Sequence, residues 1–349
     1  MNKSNEGFGV NQRWKIRPEG SNWGDFGEDD RYGRINLITP EKRLAAIKEV
    51  VTGITFCLSL PLDRPGGMVL NDHRKAPEFH QVFRHGHKVF NLEMEKFDER
   101  ILDVSSDEAV MLYNQYSTQW DALAHKGSQF DVDGHGFKKK IFYNGWQIVD
   151  ENNQGTQGEL GAYNLSIANL AEKTVQGRGV MIDFQKHFGY ERVYVNFSML
   201  QELFRKDHIV VEEGDIVCLN TGLGELIMNS PSSGPDPSIK TACAVLDGAD
   251  PQILQWITDS GLVAIASDNL AIESSSTLGI RHDIGDCGSM LPIHEHCLFK
   301  LGIHLGELWY LTDLACYLKE HQRSRFLLTA PPLRLPGAVG SPVTPIATV

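Results

Sequence analysis

Three apolar runs constrain this chain more than any other feature: "GVMIDF" from Gly179, "GDIVCLNTG" from Gly214 and "GLVAIASD" from Gly261. Each opens on glycine, holds four to six mostly apolar residues and leaves through a turn. Runs of that length without polar alternation are strands buried on both faces. Amphipathic patterns lie between them, "SMLQELFRK" and "ADPQILQWITDSG". Alternation of buried strands with surface helices predicts an α/β fold with a helix-covered sheet. Further upstream, "TPEKRLAAIKEVVTG" predicts a helix capped by Thr39, with Pro40 at its first position and Gly53 at its end. "ITFCLSLPL" predicts a strand stopped by the turn around Pro65.

The flanks read differently. Residues 1–20 are a loose polar arm, and residues 21–349 form the folded unit. The tail "APPLRLPGAVGSPVTPIATV" is rich in Pro and Gly, excludes regular helix and predicts an extended arm over the surface. Residues 63–100 carry His73, His80, His85 and His87 in a turn-rich run. That run is either a long surface loop or a lid over a site.

Bulk charge narrows the partners. The chain of 349 residues has a net charge of −12, which excludes a general nucleic-acid binder, since counterion release needs clustered cations. No stretch has the apolar length of a membrane span. The opening "MNKSNEGFGVNQ" lacks the apolar core of a secretory signal. Six cysteines at 57, 218, 243, 287, 297 and 316 form no C-x-x-C pair. They read as small buried hydrophobes in a reducing cytoplasm.

Two polar clusters stand out. "DEAVMLYNQYSTQWDALAH" begins as a strand, which would put Gln115, Ser117, Gln119 and Asp121 on one face and Tyr116, Thr118 and Trp120 on the other. His125 follows four residues after Asp121. A buried polar face of this kind must pair internally or bind metal, because an unpaired buried carboxylate is too costly; otherwise the face is solvated. The second cluster, "LPIHEHCLFKLGIHLGELWYL", holds His294, Glu295, His296, His304 and Glu307. "HEHCLFKLG" predicts a helix ended by Gly302, followed by a strand or turn. Histidine and carboxylate together are the common donor set for divalent metals.

The first cluster resembles the signature H-x-G-T-H-x-D-x-P-x-H of the metal-dependent cyclase family, which includes kynurenine formamidase, isatin hydrolase and a trans-dienelactone hydrolase. Thr118, Asp121 and His125 match it. Gln115 and Gln119 stand where the family has His, Ser117 where it has Gly and Leu123 where it has Pro. "NWGDFGEDDRYGRINLITPEKR", "SLPLD", "GVMIDF", "GDIVCLNTG", "VAIASDNLAIE", "IHEHCLFKLGIHLGE" and "GSPVTPIA" follow in the family's order.

The resemblance implies a swivelling β/β/α fold in a homo-oligomer with extended terminal arms. It implies a hydrolase that cleaves an amide or ester acyl bond of a small cyclic or aryl substrate by metal-bound hydroxide. Asp121 would bridge one or two divalent ions, with Gln115, Gln119, His296 and Glu307 as further ligands; His294 takes the place of His296 if the alignment slips. His125 would move the proton. Carboxamide ligands favour Mn²⁺, with Zn²⁺ as the alternative. Trp23, Trp120 and the phenylalanines of residues 79–90 are candidate pocket walls. Two alternatives stand beside this reading: a lactonase of the trans-dienelactone type, and a non-catalytic small-molecule binder on the same fold. A Ser or Cys hydrolase lacks its G-x-S-x-G elbow.

Overall fold

The computed structural model describes residues 13–148, 161–273 and 288–349. Nine strands form the main sheet. In chain order they are β1 (Thr55–Cys57), β2 (Gln119–Asp121), β3 (Gln176–Asp183), β4 (Ile216–Asn220), β5 (Ala264–Ser267), β6 (His304–Glu307), β7 (Arg325–Thr329), β8 (Gly340–Pro342) and β9 (Ile346–Thr348). Their order across the sheet is β1-β9-β7-β3-β4-β5-β6-β2-β8. The four central strands, β3 to β6, run parallel, and each pair outside them is antiparallel. Every residue of β4, β5 and β6 is buried, as the uninterrupted apolar runs require.

Strand alternation separates two packed layers. Val180, Ile182, Val217, Leu219, Ile265 and Leu305 point to one side. There they meet Leu200 and Leu203 of helix Phe197–Lys206, Ile253 and Ile257 of helix Pro251–Asp259, and the segment Cys297–Phe299. Met181, Ile216, Cys218, Ala264 and Ala266 point to the other side, against Leu314, Ala315 and Leu318 of helix Thr312–Glu320. The expected α/β class and both interleaved helices are present. Asn196 caps the first through Met199 N at 3.0 Å and Asp250 the second through Gln252 N at 2.9 Å, each satisfying an orphan amide of the first turn.

Three sequence expectations need correction. Thr39 does cap the early helix through Lys42 N at 3.3 Å, but the helix spans Pro40–Ile47 and stops short of Gly53. The β-branched run Val50–Thr52 follows, and the amides of Thr52 and Gly53 bond to the carbonyl of Val349. The tail is not a surface arm. It supplies β8 and β9, and Ala347 and Val349 are fully buried. Pro342 is tolerated because β8 lies at the sheet edge, where no ladder donor is missed. The strand expected from Asp107 on, with Gln115 to Asp121 alternating between its faces, is broken. Glu108–Met111 pairs with Glu78–Gln81 in a small separate sheet, and residues 113–118 turn before β2.

Residues 1–12 of the expected N-terminal arm lie outside the described residues. After them Trp14 is buried and the amides of Lys15 and Ile16 bond to the Val132 carbonyl, while the side chains of Lys15, Ile16 and Arg17 are exposed. The histidine-rich run forms short two-stranded pairs, Glu78–Gln81 with Glu108–Met111, Phe83–Arg84 with His87–Lys88, and Leu92–Glu93 with Val104–Ser105. Phe79, Phe83, Phe90 and Leu102 of this region are 73%, 62%, 58% and 90% exposed. No described helix is long and apolar enough to cross a membrane.

His304 opens β6 fully buried, with Nδ1 lacking a partner, and burial alone pushes its pKa down to about 3. The unfolded chain titrates this group near 6.5. The folded state therefore holds fewer protons below that pH, so the stabilisation present above about 6.5 is lost as pH falls toward 3. Urea unfolding is expected to show falling stability from pH 7 to 5. In His304→Leu the slope should be shallower by up to one proton's worth, about 1.4 kcal/mol per pH unit. An unchanged slope would place the proton uptake elsewhere.

Candidate metal centre

Sheet register builds the site. On the antiparallel pair β2 and β6, Gln119 sits opposite Glu307 and Asp121 opposite Leu305. Directly opposed residues share a face, so Gln119, Asp121 and Glu307 project together into the layer of Leu305. Trp120 projects to the other side, against Trp309 at 5.0 Å between ring centroids. Its indole donates to the Ala330 carbonyl at 2.8 Å. Gly306, opposite Trp120, leaves room for Trp309, whose Nε1 a Cβ there would approach to 2.8 Å.

Gln119, Asp121, Glu307 and His294 are all buried. One donor atom from each of Asp121, His294 and Glu307 falls within 4.8 Å of the others. His294 is held from both sides: Nδ1 lies 3.1 Å from Glu273 Oε1 and Nε2 lies 3.2 Å from Glu307 Oε1. Glu273 also accepts the backbone amides of Ile293 and His294 at 3.1 and 3.0 Å. A second carboxylate thus fixes the imidazole from behind, the usual support of a metal-binding histidine.

Electrostatics of the cluster favour a cation. Burial raises the Asp121 carboxyl well above its ordinary range, and the facing Glu307 adds to that. Burial would do the same to Glu307, but the hydrogen bond and charge of His294 outweigh it and hold that group low. Burial also disfavours the His294 imidazolium, yet the two flanking glutamates lift it to about 10. Asp121 Oδ2, Gln119 Oε1 and Gln115 Nε2 are buried with no hydrogen-bond partner. The amide nitrogen of Gln119 lies 3.3 Å from both Asp121 Oδ1 and Glu307 Oε2. Unsatisfied oxygens, two facing carboxylates and an oriented imidazole form a donor set that fits a divalent cation. Carboxamide orientation is interchangeable by a half-turn, so Gln115 can equally present oxygen.

The expected residues distribute as follows. Asp121, Gln119 and Glu307 converge. The Gln115 side chain lies over Gly340, the cross-strand partner of Asp121, and a Cβ at Gly340 would strike its amide nitrogen. His125 borders the site with Nε2 3.9 Å from Asp121 Oδ1. Burial first, then the charge of His294, pushes its pKa down to about 4. Thr118 is structural: its hydroxyl accepts from Leu60 N at 2.8 Å and donates to the Leu308 carbonyl.

Three expectations fail geometrically. His296 turns away and meets Thr258 Oγ1 at 2.8 Å. Residues Glu295–Leu301 form a π-helix ended by Gly302 at φ 63°, and neighbours two apart on any helix face opposite ways. His294 therefore holds the position considered for His296. Trp23 is core: 1% exposed, donating to the Phe299 carbonyl at 2.8 Å and packed edge-on against Trp14 and Phe299. Trp120 is core as well, on the far face of β2.

Glu273 was not singled out by sequence reading. Its only signal is a carboxylate that follows the apolar triplet of residues 270–272 after β5. Local strain aims it: Ala271 and Ile272 have φ of 72° and 61°, a left-handed conformation that costs a β-branched residue roughly 1–3 kcal/mol. Asn269 clamps the turn by accepting Ile272 N at 3.0 Å.

A cavity of about 450 Å³ opens over the cluster, bordered by Arg74, His125, His294 and Glu307. Its size suits a small-molecule ligand.

Comparisons place this geometry among known proteins. The family model named Cyclase matches residues 57–274, more than half of the chain. A solved structure described as a novel cyclase is 29% identical, covering 94% of this chain and 97% of its own with a TM-score of 0.72. Isatin hydrolase A from Labrenzia aggregata, solved with benzyl benzoate, shares the fold at 12% identity, TM-score 0.51 and coverage of 85% and 93%. Isatin hydrolase A from Ralstonia solanacearum does so at 13%, 0.51, 88% and 97%. No curated protein sequence matches significantly.

His294→Ala is expected to lower bound manganese sharply, whereas His296→Ala should keep the metal and lose about 1 kcal/mol of stability with the Thr258 hydrogen bond. Manganese titration should also tighten from pH 6 to 8, since a coordinating imidazole must shed its proton. Metal retained by His294→Ala and lost by His296→Ala would reverse the assignment.

Proposed function

The chain belongs to the cyclase family, and on that premise we propose that it is a metal-dependent hydrolase. It cleaves an amide or ester acyl bond in a small cyclic or aryl substrate such as a cyclic amide, a lactone or an aryl formamide. One observation carries the reading: in the buried Asp121–His294–Glu307 cluster Asp121 Oδ2 has no hydrogen-bond partner, and His294 and Glu307 line a ligand-sized cavity that His125 also borders. Asp121, Glu307 and His294 would hold the ion, with Gln119 and Gln115 as carboxamide ligands. When bound, a divalent cation supplies positive charge that polarises an acyl oxygen and acidifies water.

The protein groups divide the remaining work. Glu273 fixes the His294 ring through Nδ1, so that Nε2 faces the cluster. Burial holds the pKa of His125 down to about 4, so it is neutral at physiological pH but a weak base; it could take a proton only from an acidified water, and the imidazolium so formed would give that proton readily to the leaving atom. Manganese is the proposed ion, because carboxylate and carboxamide oxygens outnumber imidazole in this donor set.

A second reading is a metal-free binding protein on the same fold. The amide nitrogen of Gln119, placed between Asp121 and Glu307, favours it, since that amide partly satisfies both carboxylates without an ion. Metal analysis of protein purified without chelator separates the two: near-stoichiometric metal supports the hydrolase, none supports the binder.

We also propose a homo-oligomer in a reducing cytoplasm. The exposed Phe79, Phe83, Phe90 and Leu102, all within residues 79–102, support self-association. The free described cysteines at 57, 218, 243, 297 and 316 fit a reducing compartment.

Turnover is best sought in a screen of formamides, cyclic imides, isatin-like lactams and lactones with added Mn²⁺ or Zn²⁺. Asp121→Ala is expected to lose both metal and activity. His125→Ala should keep the metal and lose about 10²–10⁴-fold in kcat, with a larger loss on an amide than on an activated ester. Wild-type turnover by Asp121→Ala would move the centre elsewhere, and by His125→Ala would end its proton-transfer role. In sedimentation, Leu102→Asp with Phe79→Asp should shift the protein toward monomer, and an unchanged coefficient would count against this surface as the interface.

A further inference from the structure

The cavity over the cluster has a mixed lining. Leu70, Leu270, Ala271, Met290 and Leu291 supply apolar surface, and Arg74, Lys126 and Lys240 supply cations, with the acid Asp72 beside them. None of the three cations forms an ion pair within 4.0 Å among the described residues. In a chain with 33 Lys and Arg against 45 Asp and Glu, three unpaired cations around one cavity are not what average surface composition gives.

Two of them stand at the reaction centre. Arg74 is half-buried and anchored by Nη1 donating to the Gln115 carbonyl at 2.7 Å, which leaves most of its five donors for the cavity. Lys126 follows His125 directly and is also half-buried. The charges of both act on His125, and that of Arg74 reaches Asp121 and Glu307. Lys240 acts on the exposed Asp72 and belongs to the outer rim.

A simpler account is that Arg74 and Lys126 only offset the buried acids. Geometry argues against it: among the described residues neither cation stands within ion-pair distance of Asp121, Glu273 or Glu307, whose ionic partners are His125 and His294, and the engaged Arg74 nitrogen donates to the neutral Gln115 carbonyl. Guanidinium and ammonium groups are natural partners of a carboxylate. The apolar surface then takes the rest of the molecule.

We propose that this pocket selects small amphipathic organic anions, an apolar body bearing one carboxylate, with Arg74 and Lys126 as the residues that recognise the anion. The proposal rests on the reading of the cluster as the reaction centre and deepens it.

Calorimetric titration of the full-length manganese-loaded protein with phenylacetate and its neutral isostere phenylacetamide tests it. Wild type is expected to bind phenylacetate at least about tenfold more tightly, as for one charge-assisted hydrogen bond, with a preference that shrinks as salt is added. Lys126→Gln should bring the ratio close to one, and Lys126→Arg should keep it. Equal affinities in wild type, no phenylacetate binding at millimolar concentration, or a preference surviving in both Lys126→Gln and Arg74→Gln would overturn the proposal. The last result would mean that the carboxylate binds the ion alone. Manganese measured on the same samples separates the two levels. Metal bound without anion preference ends this inference only, whereas anion preference without metal ends the hydrolase reading.

Discussion

Burying two carboxyl groups side by side is the constraint on which the rest of this structure depends. Asp121 and Glu307 project from neighbouring strands into a layer otherwise built of Leu305, Ile265 and Leu298. Taking carboxylates out of water costs several kcal/mol each even after relaxation. The chain answers with the His294 imidazole, itself held by Glu273, and with the Gln119 amide between the two acids. Oxygens of Asp121 and Gln119 remain without a partner. Such an arrangement is poorly suited to stability alone and well suited to a cation.

Register makes it possible. A one-residue slip of β2 against β6 would send Gln119 and Asp121 to the far side and bring Trp120 into the cluster. Packing on the far side prevents the slip. Trp120 and Trp309 lock edge to face, and their indoles donate to the Ala330 and Gln119 carbonyls at 2.8 and 3.1 Å. The two tryptophans touch nothing in the cavity, yet they hold the acids in place. Thr118 adds a further tie, joining the chain before β2 to the residues after β1 and β6.

Strain gathers on the carboxylate behind the imidazole. Ala271 and Ile272 adopt left-handed backbone, and Leu308 beside Glu307 has φ of 55°. Packing, and for the first pair the Asn269 side chain, over-determines these conformations. The π-helix of Glu295–Leu301 belongs to the same economy of position, since it sets where His294 stands relative to β6. Irregular backbone of this kind concentrates at functional sites.

The sequence by itself determined the α/β class, the three central strands and the pairing of Gln119 with Asp121 on one face, because strand and helix periods are local properties of the chain. It also marked Glu307 and His125 through a resemblance carried by short motifs. It could not choose between His294 and His296, since the choice depends on how a π-helix is wound against Thr258 of a distant helix. Glu273 escaped notice because its role arises only where a strained turn meets residue 294. Trp23 and Trp120 read as pocket walls and proved to be core, because an aromatic's surroundings are set by elements far away in sequence. The Pro- and Gly-rich tail read as a surface arm and became two strands, for two of its partners, β1 and β2, lie remote along the chain. Local physics wrote the elements; long-range register and packing decided which side chains meet.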